Sequence, residues 1–400
     1  MPDDLTPEKL DVESVVDWLV DGVRTVKKSE DILQELCDRL TDCGLRLHRV
    51  AVFVTTLHPN VLGRAFYWKK GEPVRVLEAP YEVMTSENFI NSPAVTIMKE
   101  GKEIRRRLLE PDCPVDFPIL EELKAEGVTD YIATPLDFTN GQNHAATYTS
   151  TEEGGFSEAE ITAINRIRPA LTRIAEIFAL TRTAHNLLDA YLGHQSGAKV
   201  LRGQIKRGDG EDIHAVIWFC DLRNSTPLAD SMGRDEFLGL LNDYFECVAG
   251  AVLDHDGEVL RYIGDAALAI FPVAEQESWT AEIACEKAVA AANDAMRRMR
   301  ELNKQRIKDG KDELGYGIGL HMGHVMYGNI GTPDRIEFTV IGAAANEAAR
   351  IEGMCKNLGV NFVLSADVRK HLRGDWKSLG NHALRGVGEE MEIFTVPDET

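Results

Sequence analysis

The chain has 400 residues, 44% hydrophobic and 27% charged, which is enough apolar material for two or three domain cores. Its 65 acidic against 44 basic side chains leave a net charge of −21, which excludes nucleic acid and anionic membrane as default partners, since both need a basic footprint. No apolar run approaches the roughly 18 residues of a membrane span, the longest (266–274) containing Pro272, and the acidic start MPDDLTPEKL lacks a basic-then-apolar leader. The expectation is a cytoplasmic protein, neither exported nor spanning. The seven cysteines are widely spread, without a CxxC or a Cys/His cluster, and read as reduced small hydrophobes.

Residues 1–11 read as a loose start. Across 12–43, Val15, Val16, Leu19, Val20, Val23, Ile32, Leu33, Leu36 and Leu40 follow helical spacing, with a break near 27–31. A β-branched run at 49–57 predicts a strand, and 65–68 with 74–77 a hairpin around Lys70-Gly71-Glu72-Pro73. Segments 86–108 and 117–126 read as mixed helical, which makes Arg105-Arg106-Arg107 a solvated helix face, with an anion site as the alternative. Strands follow at 130–138 and 144–150 around Asn140-Gly141. Ser157 caps a helix carrying Ile161, Ile164, Ile167, Leu171, Ile174 and Phe178, and Glu160 completes a capping box. That helix continues through Leu187, Leu188, Tyr191 and Leu192 as a connector, either a signal-transmitting dimer helix or a plain linker, before the polar stretch 203–212. In layout alone, 12–182 resembles a GAF-like domain, which implies a small α+β sensor module; nothing in these residues names its ligand or partner.

From Ile213 the pattern changes. The strand HAVIWF (214–219) ends in Cys220-Asp221-Leu222-Arg223-Asn224-Ser225-Thr226, an acid at a strand end followed by a small-residue turn into a helix. Such a turn can hold phosphate oxygens on its N–H groups while the carboxylate holds a cation. Phe237, Leu240, Leu241, Tyr244, Phe245, Val248 and Val252 of the next helix are core positions. Strands 258–263 and 266–271 flank Gly264-Asp265, which puts Asp265 at a hairpin tip beside the end of the first strand. Alone, that dipeptide would be a turn with a solvated acid; together, Asp221 and Asp265, 44 positions apart, can converge on one or two divalent cations. In the strand 314–322 (LGYGIGLHM), alternating Gly315, Gly317 and Gly319 fit close backbone approach. His321 and His324 read as structural, and Trp68, Trp218, Trp279 and Trp376 as packing residues. RIEFTVIG (335–342) then precedes a helix starting near Ala343, whose Asn346 and Arg350 lie one turn apart on one face.

Together these segments resemble the class III nucleotidyl cyclases, in the adenylyl cyclase branch, over about 213–396. The resemblance is carried by a strand ending in Phe-x-Asp, the Gly-Asp hairpin, GIGLHMG followed by GNIG, R-x-x-[FY]-[DT]-x-x-G and N-x-x-x-R. It implies an α+β chain in which a GAF-like sensor domain (12–182) is joined by a helical connector and linker (183–212) to a ferredoxin-like, palm-type cyclase domain (213–400). Asp221 and Asp265 match the two metal-binding aspartates, with the Leu222 carbonyl as an extra ligand and two Mg²⁺ or Mn²⁺ per active site. Asn346 and Arg350 match the transition-state pair, Thr339 the purine-reading position, and Arg385 the basic residue for terminal phosphates. The sequence departs from the family at Arg261, where a purine-reading lysine is usual, and at Asn224-Ser225-Thr226, where Gly-Phe-Thr is usual. Arg261 remains a donor but is bulkier and unlike lysine in geometry. The implied reaction is ATP to cyclic AMP and pyrophosphate, in a head-to-tail homodimer with shared sites. Two alternatives stand beside it: a nucleotide-binding signalling module without turnover, and a guanylyl cyclase. The latter is disfavoured because Arg261 and Thr339 supply no acid for guanine's N1–H.

Overall fold

In the computed structural model, which describes residues 10–273, 280–385 and 387–397, the helical spacing of the early residues becomes α1 (Glu13–Asp21) and α2 (Ser29–Asp42). The chain divides into two units, Met1–Ala190 and Tyr191–Thr400. The first continues with β1 (Arg49–Thr55), β2 (Val61–Lys69), β3 (Glu72–Pro80), α3 (Glu87–Ile90), α4 (Pro93–Glu100), β4 (Ile104–Arg107), α5 (Pro118–Ala125), β5 (Asp130–Asp137), β6 (Asn143–Ser150) and α6 (Glu158–Leu192). Its antiparallel sheet has the order β3-β2-β1-β6-β5-β4. Because side chains alternate across a strand, Val50, Val52, Phe66, Trp68 and Tyr148 pack on one face against α1, α2 and α6. Tyr131, Ala133 and Ala145 point to the other face, under α4 and α5.

The capping box forms as expected: the Ser157 N–H donates to Glu160 Oε2 at 2.8 Å and the Glu160 N–H to Ser157 Oγ at 3.3 Å. Glu160 also accepts from the Arg46 backbone at 2.9 Å and from its guanidinium at 2.5 Å, tying the start of α6 to the approach of β1. Burial alone would lift the Glu160 carboxyl; the bonds from Arg46 and Ser157 outweigh it and hold it down at about 2.

The arginine run departs from expectation. Arg105, Arg106 and Arg107 lie in β4, paired to β5, and are not a solvated helix face. Each meets an acid: Arg105 the buried Asp130 at 2.6 Å, Arg106 Asp116 at 2.6 Å, and Arg107 Glu110 at 3.2 Å. The anion-site alternative loses its free charge for the same reason.

The second unit comprises α7 (His194–Leu201), β7 (Gly210–Leu222), α8 (Ser225–Ser231), α9 (Arg234–Asp254), β8 (Glu258–Ile263), β9 (Ala266–Pro272), α10 (Ala281–Lys308), β10 (Tyr316–Thr332), β11 (Arg335–Ile341), α11 (Ala343–Leu358), β12 (Phe362–Ser365), α12 (Ala366–Arg369), β13 (Lys377–His382) and β14 (Met391–Thr395). The run β7-α9-β8-β9-α10-β10, with spatial order β10-β7-β9-β8, is the ferredoxin-like βαββαβ arrangement. Helices α9 and α10 cover Val216, Trp218 and Cys220 on one face. On the other, Ala344 and Ala348 of α11 cover Ala215, Ile217 and Ile270.

β7 starts at Gly210, before the expected 214, and β10 runs on past Met322 to Thr332, because Met326–Gly328 pair with Gly210–Asp212. Gly328, beyond the expected end of the strand, is a further place of close approach: a Cβ there would collide with the Asp209 and Gly210 backbone. Trp68 and Trp218 are buried and Trp376 packs beside Phe362, while Trp279 lies outside the described residues. All seven cysteines are free thiols. Among the described residues, no helix is long and apolar enough to cross a membrane.

Candidate active site

Asp221 is the penultimate residue of β7, paired across to Ala266 at the start of β9. The β8–β9 turn between them takes Gly264 at φ +64°, a conformation open to glycine, and so delivers Asp265 beside that pair. Burial lifts the Asp221 carboxyl to about 6, and the charge and hydrogen bond of Asp265 add to it, against a bond from the Leu222 backbone.

On its other side Asp221 pairs with Gly317 of β10. A Cβ on Gly317 would strike the Glu352 carboxylate, and one on Gly319 would lie 2.6 Å from the Glu352 backbone nitrogen. The glycine ladder is therefore what lets α11 lie on the strand and lower Glu352 toward the aspartates. Glu352 is buried and lifted to about 7, first by burial and then by Asp221, with Asp265 adding and Arg223 opposing. Sequence reasoning assigned Glu352 no role. Its signal was the pairing of Gly-x-Gly on a strand with an acid on the helix that covers it.

Oxygen-only donors held together against their own repulsion suit a hard divalent cation, so Asp221 and Asp265 fit the metal implied by the sequence. No group of three His, Cys, Asp or Glu side chains among the described residues forms a ready metal site. A cation there would draw its remaining ligands from backbone, substrate or water.

Asn224 adopts φ +58°, ψ 32° just before α8, the left-handed geometry in which asparagine is among the few tolerated residues besides glycine. That explains how the Asn-Ser-Thr variant still makes the turn. Asn224 and Thr226 are exposed and Ser225 half-buried.

A cavity of about 410 Å³ is lined by Arg261 of β8 with Thr332, Glu337 and Thr339 from the β10–β11 hairpin. Arg261 Nη1 meets Glu337 Oε1 at 2.9 Å. Thr339 is buried, and its hydroxyl has no hydrogen-bond partner among the described residues. Glu337 is the second residue that sequence reasoning passed over, since only the pairing of β10 with β11 swings it opposite Arg261.

Asn346 is exposed on α11, and Arg350 is half-buried one turn later. At about 100° per residue, Arg350 and Glu352 point to opposite sides of the helix. The side that meets the aspartates is thus not the side that presents Asn346 and Arg350, and neither of those two lines the Arg261 cavity. Arg385 is exposed in the segment between β13 and β14, next to Leu384, which packs with Ile351 and Cys355 of α11. His321 is held by Glu347 at 2.9 Å and Ser365 at 2.9 Å, and His324 by Asp212 at 2.8 Å, in separate places.

Residues 211–397 match the family model of the adenylate and guanylate cyclase catalytic domain. An adenylate cyclase of Anabaena cylindrica is 35% identical over 169 residues, 42% of this chain and 32% of that protein. Adenylate cyclase 1 of Rhizobium meliloti (strain 1021) is 25% identical over 266 residues, 66% of this chain and 36% of that protein. The matched stretches thus span about a third of the length of these relatives. The crystal structure of the adenylyl cyclase CyaB from P. aeruginosa aligns over 48% of this chain and 97% of that chain, at 21% identity and a TM-score of 0.43.

Proposed function

We propose, on the premise that residues 211–397 belong to the adenylate and guanylate cyclase catalytic-domain family, that this chain converts ATP into cyclic AMP and pyrophosphate. The ribose 3′-hydroxyl attacks the α-phosphorus of its own nucleotide. A 3′-O–P bond forms, the bond to the bridging β-oxygen breaks, pyrophosphate departs and the hydroxyl proton is released. The nucleophile is already tethered, so positioning and charge neutralisation carry most of the work. The observation that supports this reading most directly is the convergence of Asp221 and Asp265 at the end of β7.

In this reading Asp221, Asp265 and the Leu222 carbonyl would hold two divalent cations, Mg²⁺ or Mn²⁺. When bound, these supply a lowered hydroxyl pKa and neutralised phosphate charge. Arg350 meets charge growing on the α-phosphate, and Asn346 orients the ribose. The turn Asn224-Ser225-Thr226 and Arg385 receive the terminal phosphates. Because α11 turns Asn346 and Arg350 away from the aspartates beside Glu352, each site takes its aspartates from one copy and its Asn/Arg pair from a second, in a head-to-tail dimer. Residues 12–182 control the reaction through 183–212. A full chain and a 195–400 fragment should then turn over at different rates, and equal rates would oppose that control.

Adenine presents the acceptor N1 beside the donor N6, and Arg261 with Glu337 offers a donor beside an acceptor. Guanine carries the same two functions in the reverse order, an acceptor at O6 and a donor at N1–H, and Arg261 with Glu337 can meet that pair as well, so Glu337 favours a second reading, a GTP cyclase. Arg261 and Thr339 alone supply no acid for guanine's N1–H, and Glu337 supplies one. The assay is purified protein with Mn²⁺ and either nucleotide, scored for cyclic product. Cyclic AMP alone supports the first reading and cyclic GMP alone the second. Nucleotide binding without product supports a signalling module that does no chemistry.

A further inference from the structure

The first unit encloses a cavity of about 350 Å³ on the sheet face opposite α6, within the size range of small-molecule sites. Its floor is low because Ala51 of β1 and Gly63 and Ala65 of β2 are short side chains on adjoining strands. Aromatic rings rise around that floor: Phe53, Tyr67 and Tyr131 from the sheet, with Phe89 of α3 facing them. Phe53 and Tyr67 meet edge to face with centroids 5.7 Å apart.

One end of the cavity is polar. Arg49 lays its guanidinium over the Tyr67 ring, 5.0 Å from the centroid, and Thr147 and Thr149 line the same face. Among the described residues Arg49 has no carboxylate partner. The nearby Glu126 is engaged by Lys69 at 3.2 Å and His48 at 3.8 Å. The other arginine lining the cavity, Arg64, is already paired with Glu78 at 2.5 Å. Among the described residues that line the cavity, Arg49 is thus the one cation without an ion pair, although Glu126 feels its charge, and Glu122 is exposed on the cavity's helical side.

We infer that this cavity binds a small planar aromatic carboxylate, its ring among Phe53, Tyr67, Tyr131 and Phe89 and its carboxylate on Arg49. A guanidinium matches a carboxylate through two parallel hydrogen bonds, and rings favour offset or edge-to-face neighbours. A single uncommitted charge selects a monoanion over a polyphosphate. This site is independent of the reaction proposed for residues 211–397.

The test is calorimetric titration of the full chain with 2-naphthoate. The expected result is saturable binding of one molecule per chain. The neutral analogue 2-naphthylmethanol and the aliphatic decanoate should each bind at least about tenfold more weakly, a difference of about 1.4 kcal/mol. Arg49→Gln, which removes no ion pair, should cost about tenfold or more with an unchanged melting temperature, and Ala65→Leu, which fills the floor, should abolish binding. If Ala65→Leu fails to fold, Ala51→Val serves as the filling variant. Absence of saturable naphthoate binding, or equal affinity in Arg49→Gln, overturns the inference.

Discussion

If each active site is assembled from two copies, an Asp221→Ala chain and an Asn346→Ala chain should rescue one another. The aspartates sit at the end of β7 beside Glu352, whereas Asn346 and Arg350 leave the opposite side of α11. Each variant alone loses one component from both sites of its dimer, and a fall of about a hundredfold or more is expected for loss of a positioned polar group at the reacting centre. In an equimolar mixture that exchanges freely, half the dimers are mixed. Each mixed dimer concentrates both lesions in one site and leaves the other intact, so activity returns to about a quarter of wild type. The assay is cyclic nucleotide formation with Mn²⁺ before and after mixing, with differently tagged chains used to show that mixed dimers have formed. Mixed dimers that stay at the level of the single variants would refute the shared site.

Chelating divalent cations should end product formation and Mn²⁺ should restore it; activity that survives chelation would remove Asp221 and Asp265 from the role given them. Glu337→Gln keeps an acceptor but drops the charge facing Arg261, and should shift the ATP-to-GTP rate ratio by about tenfold, or 1.4 kcal/mol; an unchanged ratio would mean that Glu337 does not face the base. Gly319→Ala drives a methyl against the Glu352 backbone, which cannot swing aside, and should cost about 1–3 kcal/mol, read as a lower melting temperature. Glu160 is held at about 2 when folded and titrates near 4.3 when unfolded. Its contribution, of order 3 kcal/mol, is therefore complete above about pH 4.3 and lost as pH falls toward 2. Glu160→Gln should accordingly be destabilised at pH 7 and nearly matched to wild type near pH 2, measured as the difference in unfolding free energy.

What could be read in the sequence was local or punctuated. The Ser157–Glu160 box and the Gly264-Asp265 turn each carry their reason within a few residues, the alternation of Gly317 and Gly319 announces a close approach without naming its partner, and each forms. The palm-type arrangement followed from motifs in order over the second half. What could not be read depends on partners distant in sequence. Arg105 is a strand residue whose acid, Asp130, lies 25 positions on, so a run of three arginines looked solvated. Glu337 acquires its meaning only when β11 folds back on β10 and faces Arg261 of β8, and Glu352 only when α11 settles on bare glycine. The length of β10 was hidden because glycines that end strands elsewhere are here the points where two backbones nearly touch.

The arginine-rich β4 has a further consequence, for behaviour at high concentration. It closes one border of the six-stranded sheet, where unpaired N–H and C=O groups invite a foreign strand to add. A newcomer aligning there would have to crowd against Arg105, Arg106 and Arg107 and disturb three acids held by them. The border is thereby guarded against runaway stacking of one molecule onto the next, and neutralising those guanidiniums should make the protein markedly more prone to forming fibrils or amorphous precipitate.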